Sequence, residues 1–486
     1  MLAQNSNIKS INFFFWLFTI SVAFILTLPI LIQDGMFLDG VLYSAVSHNL
    51  ANGIGTFWFP SFSLNNLAGM HNSFHEQPPL VFGIQALFFK VFGNSFYVER
   101  FYTFITLLAN IILIKKLWEI IFKENEKIKS ISWLPVLFWI TIPVCFWSYS
   151  NNMHENTVSI FILFAIIFQF KAFQENKNGN ALLFIFISGI FIFLASFSKG
   201  LPGLFPLVVP FLFLFKNDKV TFKKALLYSV ILLAIVAGIY GIILLNKNAR
   251  ESLYNYFFLR LLKRVNDVPT TTNYLDTLFR LGQESIIQIG IILIVKLSTK
   301  KFKLIFPSLN SKAILFLSIG FMGILPLMLT LVQKGFYMVP ALPFIAIGLS
   351  IFIANEVYFL ACEKLPESKF SNYLKSTFGL IAIVSIILPI LNIGKFSRDK
   401  EKLRDIHLIG TILPNHAVIN CSKELLSDWS LQTYLSRYYF ISLDINAPHS
   451  YFLCDKSEFL SKKEAISKDF ELLNLDLKEY CLLKKL

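Results

Sequence analysis

A chain of 486 residues that is 55% hydrophobic and only 15% charged, with a mean hydropathy of +0.62, is not a string of soluble domains, since those carry nearer a quarter charged residues. Its apolar residues come in long blocks suited to crossing ~30 Å of hydrocarbon as helices, and the alternating segments of an outer-membrane barrel are absent. The net charge of +14 sits mostly as Lys in short loops between those blocks, which is how membrane proteins fix orientation and which argues against a nucleic-acid partner.

In chain order, the first block, 11–32, is too long for a signal-peptide core and no small-residue cleavage site follows it, so it reads as an uncleaved span. Further spans are predicted at 98–117, 131–147, 157–173, 180–198, 200–216, 221–246, 283–297, 312–332, 336–354 and 377–394. The segments 115–130, 216–224 and 299–312 are short and rich in Lys, so the positive-inside bias assigns them to the cytoplasm. Residues 33–97 carry Lys90 as their only Lys and no Arg, and belong outside. Within them, 79–93 is apolar but short, and both its ends must face outside. It is expected to lie in the outer interface with Lys90 snorkelling to water; a true span there would invert the later loops against the charge rule.

Beyond residue 394 charged residues return every few positions. HAVINCS, YYFISLD and SYFLCD look like short strands, and SDWSLQTYLSRY looks like a helix. The expected fold is therefore an α-helical polytopic membrane protein of about 11–13 transmembrane helices. A transmembrane domain, 1–394, with a long outer loop, 33–97, is followed by a small extracytoplasmic α/β domain, 395–486. Cys421, Cys454 and Cys481 lie in that last part, where at most one pair can form a disulfide. The cysteines show no metal-ligand spacing.

Chemistry is expected on the outer side. Asp34 and Asp39 follow the first span; Asp34 reads as a solvated loop acid. Asp39 heads DGVLYSAVSHNL, where Tyr43, Ser47 and Leu50 follow at helical spacing, as in an amphipathic helix on the membrane. A carboxylate there is either an N-cap favoured by the helix dipole or a catalytic group. SFHEQPPL brings His75 and Glu76 to the membrane surface ahead of two prolines that fix an extended backbone; one His and one Glu are two ligands short of a closed metal site. YVERFY sets Glu99 and Arg100 at the start of the second span, where an ionisable residue is a functional candidate or an anchor. Lys199 in SKGLPGLFP, and Lys334 with Tyr337 in QKGFYMVP, fall in short outer turns against the charge trend. Arg250, Arg260, Lys263, Arg264 and Arg280 make the outer loop 247–282 basic. Lys and Arg are natural partners of a phosphate, and some of these anchor to headgroups.

Taken together, these motifs resemble the GT-C fold membrane glycosyltransferases, in particular the group of the protein O-mannosyltransferases and the lipid A aminoarabinose transferase. Asp39 with Tyr43, HEQPPL leading to ALFFKVFGNSF, Arg100, SKGLPGLFPL and KGFYMVPALPF follow the family's order over residues 11–355. The resemblance implies transfer of a sugar from a polyprenyl-phosphate donor to a glycan, lipid or protein acceptor outside the cytoplasm, with inversion. It makes Asp39 the general base or acceptor-orienting carboxylate, and Glu76 the acid that orients the acceptor or holds a metal. Tyr43, His75, Arg100, Lys199, Arg260, Arg264, Lys334 and Tyr337 become the substrate-binding set. No metal is required by the pattern, and a divalent ion is compatible with it. Leu42 and Gln77 stand where the lipid A transferase pattern carries Arg and Lys, so only the broad class is carried over. The implied home is a bacterial inner membrane with the active site facing the periplasm or the exterior. The competing reading is a transporter or flippase of a lipid-linked sugar, but no internal repeat or mid-membrane charge points to one.

Overall fold

The computed structural model describes residues 2–64, 73–215, 220–263, 269–299, 309–367 and 370–486. Arg264 lies outside them. Helices occupy the apolar blocks: α1 (Leu2–Leu31), α2 (Leu38–Ala51), α3 (Leu80–Phe92), α4 (Tyr97–Ile121), α5 (His154–Gln174), α6 (Asn178–Lys199), α7 (Phe222–Ile243) and α8 (Phe370–Ile390). Among the described residues six helices are long and apolar enough to cross a bilayer, or up to eight with two bent pairs. Two expected spans are broken by proline, which cannot donate within a helix. The block 131–147 splits into Trp133–Ile140 and Pro143–Tyr149. The block after Lys199 runs as a 3₁₀ stretch, Leu201–Val208, containing Pro202 and Pro206.

Burial sorts the helices. α5 is largely enclosed, whereas α7 and α8 bury little of their apolar surface; lipid is as apolar as Leu, so such faces need no protein cover. α3, at 13 residues, rises only ~20 Å. It buries Val81, Phe82, Gln85, Ala86 and Phe89 along one stripe and exposes Lys90.

The C-terminal residues form α9 (Lys400–Ile412), α10 (Trp429–Tyr439) and a five-stranded sheet in the order β2-β1-β3-β5-β4. β1 (Val418–Cys421) pairs parallel with β2 (Ser442–Asp444) and β3 (Tyr451–Asp455), while β5 (Tyr480–Lys485) runs antiparallel to β3 and β4 (Phe470–Leu472). The three strands and the helix expected from the sequence are all present.

This unit is fastened to the first loop rather than hung beside it. Arg437, 1% exposed, donates to Glu99 at 2.6 Å and to the Asn94 and Ser95 carbonyls. Ser436 donates to the Phe62 carbonyl, and the Tyr434 hydroxyl donates to the Met36 carbonyl. Two expectations change as a result. α2 does not lie on the membrane as an amphipathic helix: Gly40 to Asn49 are buried throughout, because α10 covers it on one side and α3 on another. Asp34 is not a solvated acid: it is 8% exposed and accepts from the Tyr438 hydroxyl at 2.6 Å and from His407 Nε2 at 2.7 Å.

Burial alone would raise the Asp34 carboxyl. The hydrogen bonds from His407 and Tyr438, with the charges of His407 and Arg100, outweigh it and hold the group below its ordinary range. Such a group lends stability that is complete above the unfolded carboxyl value of ~4 and is lost as pH falls through the lower folded value. Acidification through that window is therefore expected to loosen the C-terminal unit, read as faster protease cleavage between α8 and α9. Asp34→Asn should flatten that pH dependence; an unchanged acid profile in the variant would contradict the assignment.

Candidate functional site

The local sequence explains why α2 sits where it does. Gly40 packs directly on the Asn151 carbonyl, which a Cβ at that position would overlap. The turn 150–153 grips the helix further: Asn151 Oδ1 accepts from the Phe37 amide at 2.9 Å, and Asn152 Nδ2 donates to the Gly40 carbonyl and to Ser44 Oγ, each at 3.1 Å. The glycine of DGVLY is thus a contact residue for the turn that begins α5. Gly40→Ala is expected to lift α2 off this turn and to lower activity by at least tenfold, with Ser44→Ala, which removes only one acceptor, much milder. Comparing turnover of the two variants in membranes checks this.

Docking α2 on that turn gathers a polar cluster. Tyr43, buried, stacks on His154 with ring centroids 3.9 Å apart. Glu155, 1% exposed, faces Lys199 Nζ at 2.9 Å. The Lys199 ammonium also lies 5.5 Å from the Tyr43 ring centroid and 5.7 Å from that of Tyr337. Lys199 and Glu155 are close enough to be an ion pair, yet among the described residues Lys199 Nζ, both Glu155 oxygens and both His154 ring nitrogens have no hydrogen-bond partner. Buried polar atoms with unused capacity are costly unless something else satisfies them. Burial first, then the nearby carboxylates of Asp39 and Glu155, keep the Tyr43 hydroxyl protonated well above the usual phenol range.

Asp39 is the second residue of α2, one turn before Tyr43. Phe37 holds the cap position and no side chain caps the helix, so the N-cap reading of Asp39 is not what the helix uses. The Asp39 carboxylate is half-buried and has no hydrogen-bond or ion-pair partner among the described residues.

The remaining candidates divide. In the HEQPPL segment, His75 pairs through Nε2 with Ser73 Oγ at 2.6 Å, and Glu76 accepts from Arg260 Nε and Nη2, each at 2.6 Å. The Glu76–Arg260 contact fastens the segment to the helical run Lys247–Leu261. Among the described residues, no group of three or more His, Cys, Asp or Glu is placed to hold a metal ion. Lys334, half-buried, starts the turn Gly335–Met338 that presents Tyr337. Arg280 lies across Gly335, whose missing Cβ would be 2.9 Å from its Cδ and Nη1. Arg100 is not part of this cluster: its guanidinium donates to the Gln33 and Phe96 carbonyls and to Glu99.

Beside the cluster a cavity of about 440 Å³ is lined by Gly200, Leu204, Tyr240, Leu253, Phe257 and Leu261, within the ~300–1,000 Å³ usual for ligand pockets. Gly200, at φ +74°, makes room for Tyr256, whose hydroxyl donates to the Lys199 carbonyl. A second, more open cavity of about 770 Å³, lined by Phe15, Trp133, Val357 and Lys364, lies at the opposite end of the bundle, away from Asp39.

Sequence reasoning missed His154 and Glu155. The signal was present: a His-Glu pair opening an apolar span, in a short turn that the charge rule already assigned to the same side as Asp39.

Residues 76–242, about a third of the chain, match the family described as dolichyl-phosphate-mannose-protein mannosyltransferase. The fold is similar to that of ArnT from Cupriavidus metallidurans in the apo state, with a TM-score of 0.65 at 11% identity over 96% of each chain. It is similar also to ArnT from the same organism bound to undecaprenyl phosphate, at 0.64 and 12%, over 96% of this chain and 97% of that one. No curated protein matches in sequence. The resemblance read from the motifs is borne out: this is an integral membrane protein with the GT-C glycosyltransferase fold, and its residues 76–242 carry the sequence pattern of the mannosyltransferase family.

Proposed function

We propose that the protein transfers a sugar from a polyprenyl-phosphate donor to an acceptor hydroxyl on the face of the membrane turned away from the cytoplasm, in a bacterial inner membrane. The observation that carries this reading is the Asp39 carboxylate, half-buried and without a hydrogen-bond or ion-pair partner among the described residues, beside Tyr43 and the buried Lys199–Glu155 pair. In this reading Asp39 takes the proton of the acceptor hydroxyl as its oxygen attacks the anomeric carbon. The bond from that carbon to the phosphate oxygen breaks on the opposite face, which inverts the configuration. A carboxylate within reach of the departing proton is the requirement for such a step.

The leaving group is a polyprenyl phosphate, whose growing charge needs preorganised cations. Lys199 and Lys334, with Arg280 seated on Gly335, supply them on one side of the cluster. The apolar cavity beside Gly200 would hold the first isoprene units. Glu155 and His154, with unused hydrogen-bonding capacity in the polar cluster beside that cavity, would hold the sugar hydroxyls. Glu76 and Arg260 act as a brace for the HEQPPL segment rather than as proton carriers, because each already occupies the other at 2.6 Å.

The test is transfer of radiolabelled sugar from a polyprenyl-phosphate donor to membrane extract by the reconstituted protein. Label appearing in an acceptor, joined through a glycosidic bond of the anomeric configuration opposite to the donor's, supports the reading. Donor that crosses the bilayer without transfer to any acceptor would make the protein a flippase instead.

A further inference from the structure

The C-terminal sheet sets two of its three cysteines directly opposite one another. Cys454 on β3 and Cys481 on β5 are register partners in the antiparallel pair, so their side chains leave the same face of the sheet. Both are buried, in one apolar cluster with Leu483 and with Phe459 of the helix Lys456–Ser461. Cys421 is excluded as a partner by the same register. It aligns with Leu453, and alternation along β3 sends Leu453 and Cys454 to opposite faces. Accordingly Cys421 packs with Leu453 on the α9 and α10 side.

The ladder also fixes the kind of pair. The Lys485 amide donates to the Ser450 carbonyl and the Lys456 amide to the Glu479 carbonyl, which makes every second pair, 454/481 among them, the hydrogen-bonded type. Cα atoms of such a pair stand ~5.5 Å apart, within the ~4.4–6.8 Å a disulfide accepts. The Cβ atoms of a hydrogen-bonded pair stand at the wide end of ~4.5–5.5 Å and must draw in by ~1–2 Å to bond. Both thiols are unbonded here.

We propose that Cys454 and Cys481 form a disulfide when the C-terminal unit folds outside the cytoplasm, an inference that rests on the orientation given above. The oxidant is the disulfide of a thiol–disulfide oxidoreductase. One cysteine thiolate attacks a donor sulfur and forms a mixed disulfide, and the second thiolate displaces the donor. The donor leaves as a dithiol carrying the two electrons, and the two protons of the protein thiols are passed on with them. Because Phe459 and its neighbours bury the finished pair, exchange precedes the last packing of the Lys456–Ser461 helix. The bond then ties the final strand to the centre of the sheet.

The full chain in its native membrane provides the test. Free thiols are blocked with N-ethylmaleimide in denaturant, the sample is reduced, and newly released thiols are tagged with a maleimide-polyethylene glycol that retards migration. Wild type and Cys421→Ser should each gain two tags, and Cys454→Ser and Cys481→Ser none. Loss of both tags in Cys421→Ser would overturn the pairing. The orientation is read separately, by labelling an exposed Lys463→Cys variant with a membrane-impermeant maleimide in intact cells. Labelling there, with no tag released from wild type by reduction, overturns the disulfide and leaves the orientation standing. No labelling until the membrane is opened, together with free thiols, overturns both.

Discussion

Asp39→Asn should lower kcat by roughly 10²–10⁴, the range of positioned general-base catalysis, while leaving donor affinity close to wild type. The amide keeps the size and the helix position of the carboxylate but cannot take a proton. Because the Asp39 side chain makes no hydrogen bond or ion pair among the described residues, its replacement by an amide of the same size breaks no polar contact there, so folding and α2 docking should persist. The split between kcat and donor affinity separates this role from a structural one. Asp39→Glu moves the carboxylate by about one methylene and should recover part of the rate, since misplacement by ~1 Å can cost ~10² in rate. Single-turnover transfer in proteoliposomes, beside binding of labelled donor, measures both quantities. An Asp39→Asn protein that transfers at the wild-type rate would remove Asp39 from the chemistry.

The second large effect concerns Lys199 and Glu155. Their charges lie 2.9 Å apart at 7% and 1% side-chain exposure, and removing one member of a buried pair strands the other, at about 3–5 kcal/mol. Lys199→Met is therefore expected to be strongly destabilising as well as inactive. Lys199→Met combined with Glu155→Leu removes both charges and should recover most of the stability. Activity should not return with it, because the double variant lacks a cation for the leaving phosphate and an acceptor for the sugar. Thermal unfolding in detergent and transfer assays on the two variants give the comparison. A double variant that regained activity along with stability would show the pair to be only a packing element of α5 and α6.

Much of the architecture was legible because a bilayer imposes simple rules. Backbone groups in hydrocarbon must be satisfied within a helix, so long apolar blocks could be read directly as helices. The Lys distribution then indicated which turns share a side, and Lys199, Tyr337 and Asp39 do gather at one end. The strands at HAVINCS, YYFISLD and SYFLCD were visible from short apolar runs between charged residues. Other features were not. The role of Gly40 in DGVLY appeared only once the Asn151 carbonyl was seen against it. Arg100 looked like a phosphate ligand, yet its donors are consumed by Gln33, Phe96 and Glu99. Asp34 looked solvated because its partners, His407 and Tyr438, lie more than 370 residues further along.

The sequence by itself determined the class of the protein, the helical blocks, that the polar turns share one side, and Asp39 as the first group to test. Those properties follow from hydropathy, charge and short motifs, which act locally along the chain. The tertiary structure decided which charges are spent in holding the fold and which retain bonding capacity. It also brought His154 and Glu155 beneath Tyr43, seated Arg280 on Gly335, and aligned Cys454 with Cys481. Each of these depends on segments distant in sequence packing together, and pairwise geometry of that kind is not written in the local pattern of either partner.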